Sequence, residues 1–418
     1  MGTGLVGVIV VLAVAGAIVA VAVRRRRGGK EPVAPEVPVP TVEVVALGIS
    51  GAGKTVFLAG LFHELHVPID DRPYFLRTEA ADRVRLSGVL RQVSDARQPW
   101  PAGTAVAQTR KYTFDCMARA MDEWVPVLRV RYLDYAGEVL EEALGDDGAA
   151  LRELESEVDR ADAVLGMLDG RQILRYLVGD PGGTAYLVAA IQPMIGMMVA
   201  GRSPIYLVLT KWDIVRGFGE PADADDNARL ELVRHALFAL PQLQGLVDVR
   251  NIVRLIPVSA VGPDFARFDP ESGRIDKRQD GRFRPQHVEV PLAAVVPDLL
   301  KRFQQAFDRD AGASVNSQLR RVMRLSPGEW GGAVAEVLTK PASAALGAVI
   351  GRPFSTELVT FAMEWLSKPY RDKGEQVAAF RTEAQRRLAA VADARAVVVE
   401  HFQKTMYVFE AKLPASRL

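Results

Sequence analysis

TVEVVALGISGAGKT, residues 41–55, joins a strand-forming run to a glycine-rich turn that ends in Lys54 and Thr55. Apart from Thr41 and Glu43 the run 41–47 is apolar, the pattern of a strand buried on both faces. Gly48, Gly53, Lys54 and Thr55 then complete the spacing GxxxxGK[ST], and the apolar residues 56–65 predict a helix directly behind it. A turn of this kind lets successive backbone N–H groups curl round a polyphosphate, and the helix N-terminus adds partial positive charge. Phosphate binding is therefore assigned to Ser50, Gly51, Ala52, Gly53, Lys54, Thr55 and Val56. Lys54 is expected to reach the β- and γ-phosphates, and the Thr55 hydroxyl to ligate Mg²⁺.

Three further strands follow in an order that extends this reading. VLRVRYLD (127–134) runs into Tyr135, Ala136, Gly137 and Glu138. Asp134, closing an apolar strand, is a candidate Mg²⁺ ligand, directly or through water, and the Gly137 N–H can meet a γ-phosphate. IYLVL (205–209) ends in Thr210, Lys211, Trp212 and Asp213. A carboxylate at that strand end accepts both N1–H and the 2-amino group of guanine, whereas adenine has an acceptor at N1 and no amino group at C2. A buried polar site built on such donors discriminates by about 10⁴–10⁵. Lys211 is expected to lie along the base and brace the loop. The run 252–258 leads to Ser259 and Ala260, small enough to let a backbone N–H approach the guanine carbonyl. A threonine ahead of the second strand should sense Mg²⁺ and the γ-phosphate. Of Thr104, Thr109 and Thr113, the first lies in WPAGT (100–104), a loop with turn chemistry, and is favoured; Thr113 alternates within RKYTFDCM (110–117) as a strand residue would.

Residues 5–23 are an uncharged run of Leu, Val, Ile, Ala and Gly, about 29 Å long as a helix and so about one hydrocarbon core. Arg24, Arg25, Arg26 and Arg27 stand directly behind it, and no Lys or Arg precedes it. By the positive-inside rule the arginine end stays in the cytoplasm and the N-terminus points out. Residues 1–27 thus read as a single-pass anchor to the cytoplasmic membrane, and 28–40, with Pro32, Pro35, Pro38 and Pro40, as an extended linker. A net charge of +1 leaves no electrostatic footprint for nucleic acid. The single cysteine, Cys116, excludes an intrachain disulfide and suits a buried strand position in a reducing compartment. His63-Glu64-Leu65-His66 misses the zinc-protease spacing, because Val67 stands where the second histidine would.

GISGAGKT, DYAG, TKWD and VSA, in that order across 41–307, resemble the motifs of the Ras-like, translation-factor-related class of P-loop GTPases, here of a bacterial, membrane-anchored type. An anchor ahead of one such domain is similar to the β subunit of the signal-recognition-particle receptor. The resemblance implies a three-layer α/β fold with a mostly parallel six-stranded sheet and nucleotide at the carboxyl ends of its strands. It implies GTP/GDP and Mg²⁺ as ligands, GTP hydrolysis as the reaction, and catalytic roles for Lys54, Thr104 and Glu138. Three departures matter. Glu138 replaces the glutamine that positions water, and its repulsion by the γ-phosphate predicts slow turnover without a partner. Thr210 replaces an asparagine, losing one loop-bracing amide. An insert at 68–103, helical in spacing over 79–97, separates Lys54 from Thr104. A second insert, 262–287, reads as an exposed loop or short hairpin whose charges face solvent, with Arg274, Arg278 and Arg282 as candidate arginine fingers.

Residues 308–418 are expected to be helical: 331–351 is apolar but interrupted by Glu336, Lys340 and Pro341, 355–369 has helical periodicity, and 376–412 reads as one or two long helices. The reading that results is a regulatory switch at the cytoplasmic membrane face, with effector or regulatory proteins at the switch regions or the C-terminal helices. Two alternatives stand beside it: a nucleotide-binding scaffold with little turnover, and a dynamin-like membrane-remodelling enzyme.

Overall fold

β1 (Thr41–Leu47) owes its continuous apolar run to its place in the middle of a sheet, with parallel neighbours on both sides. The structure is a computed structural model, and it describes residues 39–102, 109–135, 148–201, 203–217, 225–249, 253–269, 273–310, 361–362, 365 and 383–418. All of these belong to one compact unit, Val39–Leu418. The apolar run 5–23, the arginines 24–27, the linker as far as 38, and the segments 331–351 and 355–360 lie outside the described residues.

From β1 the chain passes through α1 (Lys54–Leu65) to β2 (Tyr74–Thr78), α2 (Ala80–Ser94), β3 (Arg110–Ala120) and β4 (Glu123–Asp134). It continues through α3 (Gly148–Arg160), β5 (Ala163–Asp169), α4 (Gly170–Leu177), α5 (Pro181–Tyr186), a π-turn at Leu187–Ile191 and α6 (Gln192–Ala200). Then come β6 (Ile205–Thr210), α7 (Trp212–Val215), α8 (Asp226–Phe238), α9 (Pro241–Val249) and β7 (Val253–Pro257). A hairpin of β8 (Ala266–Asp269) and β9 (Arg274–Lys277), then α10 (Val290–Asp310) and α11 (Glu383–Lys412), complete the described elements.

The sheet has seven strands in the order β2-β3-β4-β1-β5-β6-β7, one more than the six expected. The extra strand is β2, contributed by the first insert. Its pattern alternates, with Tyr74, Leu76 and Thr78 inward, and it pairs antiparallel with β3, as β3 does with β4. The remaining pairings are parallel. The chain fills one side of β1 with β4, β3 and β2, then crosses to the other side for β5, β6 and β7. The carboxyl end of β1 is therefore where connections diverge, the crevice that open α/β sheets use for ligands.

One sheet face packs on α1 and α10 through Phe57, Leu61, Leu292 and Val295, which meet Val44, Leu76, Phe114 and Val130. On the other face Met194 and Met198 of α6 press against Gly166 of β5. The stretch Pro181–Ala200 is the one described helix long and apolar enough to cross a membrane, and half of it is buried inside the fold. The π-turn precedes Pro193, whose missing N–H and ring disfavour regular α pairing there. Cys116 is buried in β3, and burial pushes its thiol up, away from reactivity.

The helical C-terminus is part of this packing. α11 lies against α10, β3 and β4. Phe402 is fully buried and meets Tyr74 edge-on at 5.0 Å, and Arg395 donates from Nε to the Val127 carbonyl at 2.9 Å. Arg254 of β7 is held between Asp298 of α10, at 2.9 Å, and Glu410 of α11. A core aromatic truncated to a methyl group loses about 3–5 kcal/mol. Phe402→Ala is thus expected to lower the urea midpoint of the whole unit in a single transition, not to release α11 alone.

Candidate functional site

The turn between β1 and α1 holds its shape through positive-φ glycines. Gly51 and Gly53 adopt φ of 75° and 89°, where a Cβ is strained, and Gly53 caps α1. Gly60 lets α1 approach the second loop of the site, since a Cβ there would stand 3.0 Å from the Ala260 carbonyl oxygen. Lys54 is 5% exposed and its ammonium donates to the carbonyls of Gly48 at 2.6 Å and Ile49 at 3.1 Å. It is folded back on the loop whose N–H groups would cradle a phosphate.

At the end of β4, Asp134 is buried, and its Oδ2 accepts from the Thr55 hydroxyl at 3.0 Å. Burial raises its carboxyl above the ordinary range, and the Lys54 charge and the Thr55 bond draw it back. Its Oδ1 is buried and accepts no hydrogen bond among the described residues. An orphaned carboxylate oxygen beside a threonine hydroxyl, next to a loop shaped for phosphate, fits a hard cation that takes few protein oxygens and completes its shell with water and phosphate.

The third group comes from β6 and β7. Lys211 has φ of 53° and caps α7, and its ammonium donates to the Gly51 carbonyl at 3.0 Å and to both oxygens of Asp169 at 2.8 Å. The Thr210 hydroxyl lies 2.8 Å from the Ala52 carbonyl and 3.0 Å from that of Leu168, and its single proton serves one at a time. Thr210 lacks the amide an asparagine would bring, and its hydroxyl reaches the 48–55 loop in its own right. Ser259 donates from Oγ to Asp213 Oδ1 at 2.6 Å and accepts from the Gly262 N–H at 2.9 Å, so the serine orients the carboxylate. Burial raises the Asp213 carboxyl, and the Ser259 bond is the first of the effects pulling it back.

The first and third groups share one cleft of about 670 Å³, lined by Ser50, Gly51, Gly53, Lys54, Thr55 and Val56 and by Thr210, Lys211, Asp213 and Ala260; Asp134 does not line it and meets it through Thr55. Ala52 and Ser259 are buried behind it. Thr109 is exposed just ahead of β3, and Thr113 is a β3 residue whose carbonyl accepts from Thr78, away from the cleft. Thr104, Gly137 and Glu138 lie outside the described residues. Of the short histidine motif, His66 turns its Nδ1 to the carbonyls of Phe62 and His63, an ordinary helix-end contact.

Two features escaped the sequence reading. Asp169 ends a buried strand, AVLGMLD, as Asp134 ends β4, and that strand-end carboxylate was the available signal. The second insert forms a short hairpin, β8–β9, as one of its two expected forms, but its charges do not all face solvent: Lys277 turns in toward α2, and Arg274 and Lys277 both line the cleft. Asp169 is 7% and Lys211 25% exposed in their side chains, so breaking the pair strands a partly desolvated ammonium. Asp169→Asn is expected to cost about 2–3 kcal/mol of stability, somewhat less than a fully buried pair, and to weaken nucleotide binding by loosening Lys211. Chemical denaturation beside a nucleotide titration measures both.

The sequence matches no family model and no curated protein. Among solved structures the fold is similar to the bacterial selenocysteine-specific elongation factor EF-Sec at 14% identity, with a TM-score of 0.29, a likeness too distant to bear on function. The match takes in 63% of this chain and 29% of that one.

Proposed function

We propose that this chain binds guanine nucleotide with Mg²⁺ and hydrolyses GTP to GDP and phosphate, acting as a regulatory switch. The observation that carries the reading is the single cleft in which Asp213, oriented by Ser259, faces the same space as Lys54 and Thr55. Thr55 and Asp134 would hold Mg²⁺, which when bound neutralises phosphate charge. Lys54 would leave the Gly48 and Ile49 carbonyls for phosphate oxygens, and the loop N–H groups would orient the rest of the chain of phosphates. Lys211 and Thr210 brace the phosphate loop from the base side, so the two ends of a nucleotide are read by one connected framework.

Thr104 and the segment beginning at Gly137 are the proposed switch regions, ordered by γ-phosphate and released after hydrolysis. The uncharged run 5–23 with its trailing arginines supports a place at the cytoplasmic membrane face, with effectors or regulators meeting the switches or the C-terminal helices. Glu138 favours a second reading, a scaffold with little turnover, since a carboxylate there is repelled by the γ-phosphate. Fluorescent GDP, GTP and ATP analogues titrated into the full chain in detergent, with Mg²⁺, test the first reading. Guanine binding well above adenine binding is expected, and equal affinity for ATP would sink it. Single-turnover GTP hydrolysis, with and without a cell lysate, separates switch from scaffold.

A further inference from the structure

The two inserts, far apart in sequence, meet and build one wall of the cleft. Residues 96–102, beyond the end of α2, and 273–277, the β9 side of the hairpin, both line it. Lys277 donates to three carbonyls at the end of α2, those of Gln92 at 2.6 Å, Asp95 at 3.1 Å and Gln98 at 3.0 Å. Its ammonium stands 4.9 Å from the centre of the Trp100 ring. The Trp100 indole N–H in turn donates to the Ile275 carbonyl at 2.7 Å. Beneath these contacts Val93, Val261 and Phe265 are buried together, with Val56 and Trp100 packed against them.

A lysine on the open carbonyls of a helix end is by itself an ordinary cap. The location of this one distinguishes it. The residues of the small cluster each belong to a different part of the site: Val56 follows Thr55, Val261 follows Ser259 and Ala260, and Trp100 lies four residues ahead of Thr104. The cluster thus joins the phosphate helix, the base loop and the stem of the first proposed switch. Burial draws the Lys277 ammonium below its ordinary value, as expected of a cation that has exchanged water for carbonyls and an aromatic face.

We propose that Lys277 and Trp100 are positioning residues that latch the two inserts together over bound guanine nucleotide and set the rate at which it leaves. The inference rests on the guanine-nucleotide reading above. Residues 96–102 and 273–277 line the cleft together with the phosphate and base loops, so parting them opens it. The latch joins the two halves of that wall and does not engage the phosphates, so its loss falls on release.

Release of fluorescent GDP from the full chain, chased with excess unlabelled GDP, tests this. Lys277→Met keeps the aliphatic stem and removes the ammonium, and is expected to speed release by about tenfold, as fits the loss of charge-assisted bonds and a cation–π contact. Lys277→Arg keeps a cation able to bond carbonyls and stack on Trp100, and should stay within about threefold of wild type. Trp100→Phe keeps a ring without the bond to Ile275, should fall between them, and decides the matter if the methionine variant does not fold. Release at the wild-type rate from Lys277→Met, or from Trp100→Phe where the methionine variant does not fold, overturns the latch, as does Lys277→Arg releasing as fast as Lys277→Met. Wild-type protein that fails to bind GDP at all overturns the guanine reading itself, a separate and distinguishable result.

Discussion

Asp213→Asn is expected to weaken GDP binding by about 10²–10⁴ and to raise affinity for xanthine nucleotide, because two charge-assisted hydrogen bonds are lost and a donor takes the place of an acceptor. Ser259 fixes Oδ1 of Asp213 at 2.6 Å, and a carboxylate keeps acceptor sites enough for both guanine donors. An asparagine amide set in the same place turns N–H toward one of those donors, which repels guanine. Xanthine carries a carbonyl at C2 and meets that N–H as an acceptor. The same residue predicts a pH dependence. Burial raises the Asp213 carboxyl above its ordinary value, and only the ionised form accepts from both guanine donors at once. Affinity for GDP should therefore fall as pH falls, beginning at a higher pH than for a solvent-exposed aspartate. The asparagine variant, having nothing to protonate there, should lose that component. Titrations of fluorescent GDP, XDP and ADP from neutral to mildly acid pH decide both points, and a variant that binds GDP like wild type removes Asp213 from base recognition.

What could be read without the fold, and what could not, follows from how each element announces itself. A parallel strand buried on both faces is an unbroken apolar run, and in this sheet its last residue faces the ligand crevice. Reading 41–47 and 205–209 as such strands, and 127–134 as a strand whose apolar run is broken by Arg129 and Arg131, located Lys54, Asp134 and Asp213 together, and β1, β4 and β6 end where that reading ends them, to within a residue. β2 was missed because five half-buried alternating residues, next to a longer helical pattern, give a weak signal. The β3–β4 turn at Met121 and Asp122 has positive φ at both positions without the glycine or asparagine that usually marks it. The partners of Asp169 and Lys277 were opaque for a different reason. Asp169 meets Lys211 across 42 residues, and Lys277 bonds backbone carbonyls more than 175 residues away. A carbonyl acceptor has no side-chain identity, so no spacing of residue types reveals it.

Lys54→Ala should separate binding from folding more cleanly than any other change in the site. Lys54 is a buried cation at the N-terminal end of α1, where the helix dipole is unfavourable to positive charge. Its bonds to the Gly48 and Ile49 carbonyls and the nearby charge of Asp134 offset that cost. Alanine removes the desolvated charge together with those bonds, and it is the best helix former, so the net change in unliganded stability is expected to lie within about 1 kcal/mol. Phosphate binding has no such compensation. In the proposed complex the Lys54 ammonium would engage the β- and γ-phosphates, and its loss should weaken GTP by about 10²–10³, with GDP affected less because it lacks the γ-phosphate. Thermal denaturation reads both quantities in one series. A ligand that binds only the folded state raises the midpoint in proportion to RT ln(1 + [L]/Kd), so wild type should climb with added GTP and the variant should stay near its unliganded midpoint. A variant that melts much lower without nucleotide, yet still climbs with GTP, would make Lys54 a structural pin of the loop and return the phosphate to the backbone N–H groups alone.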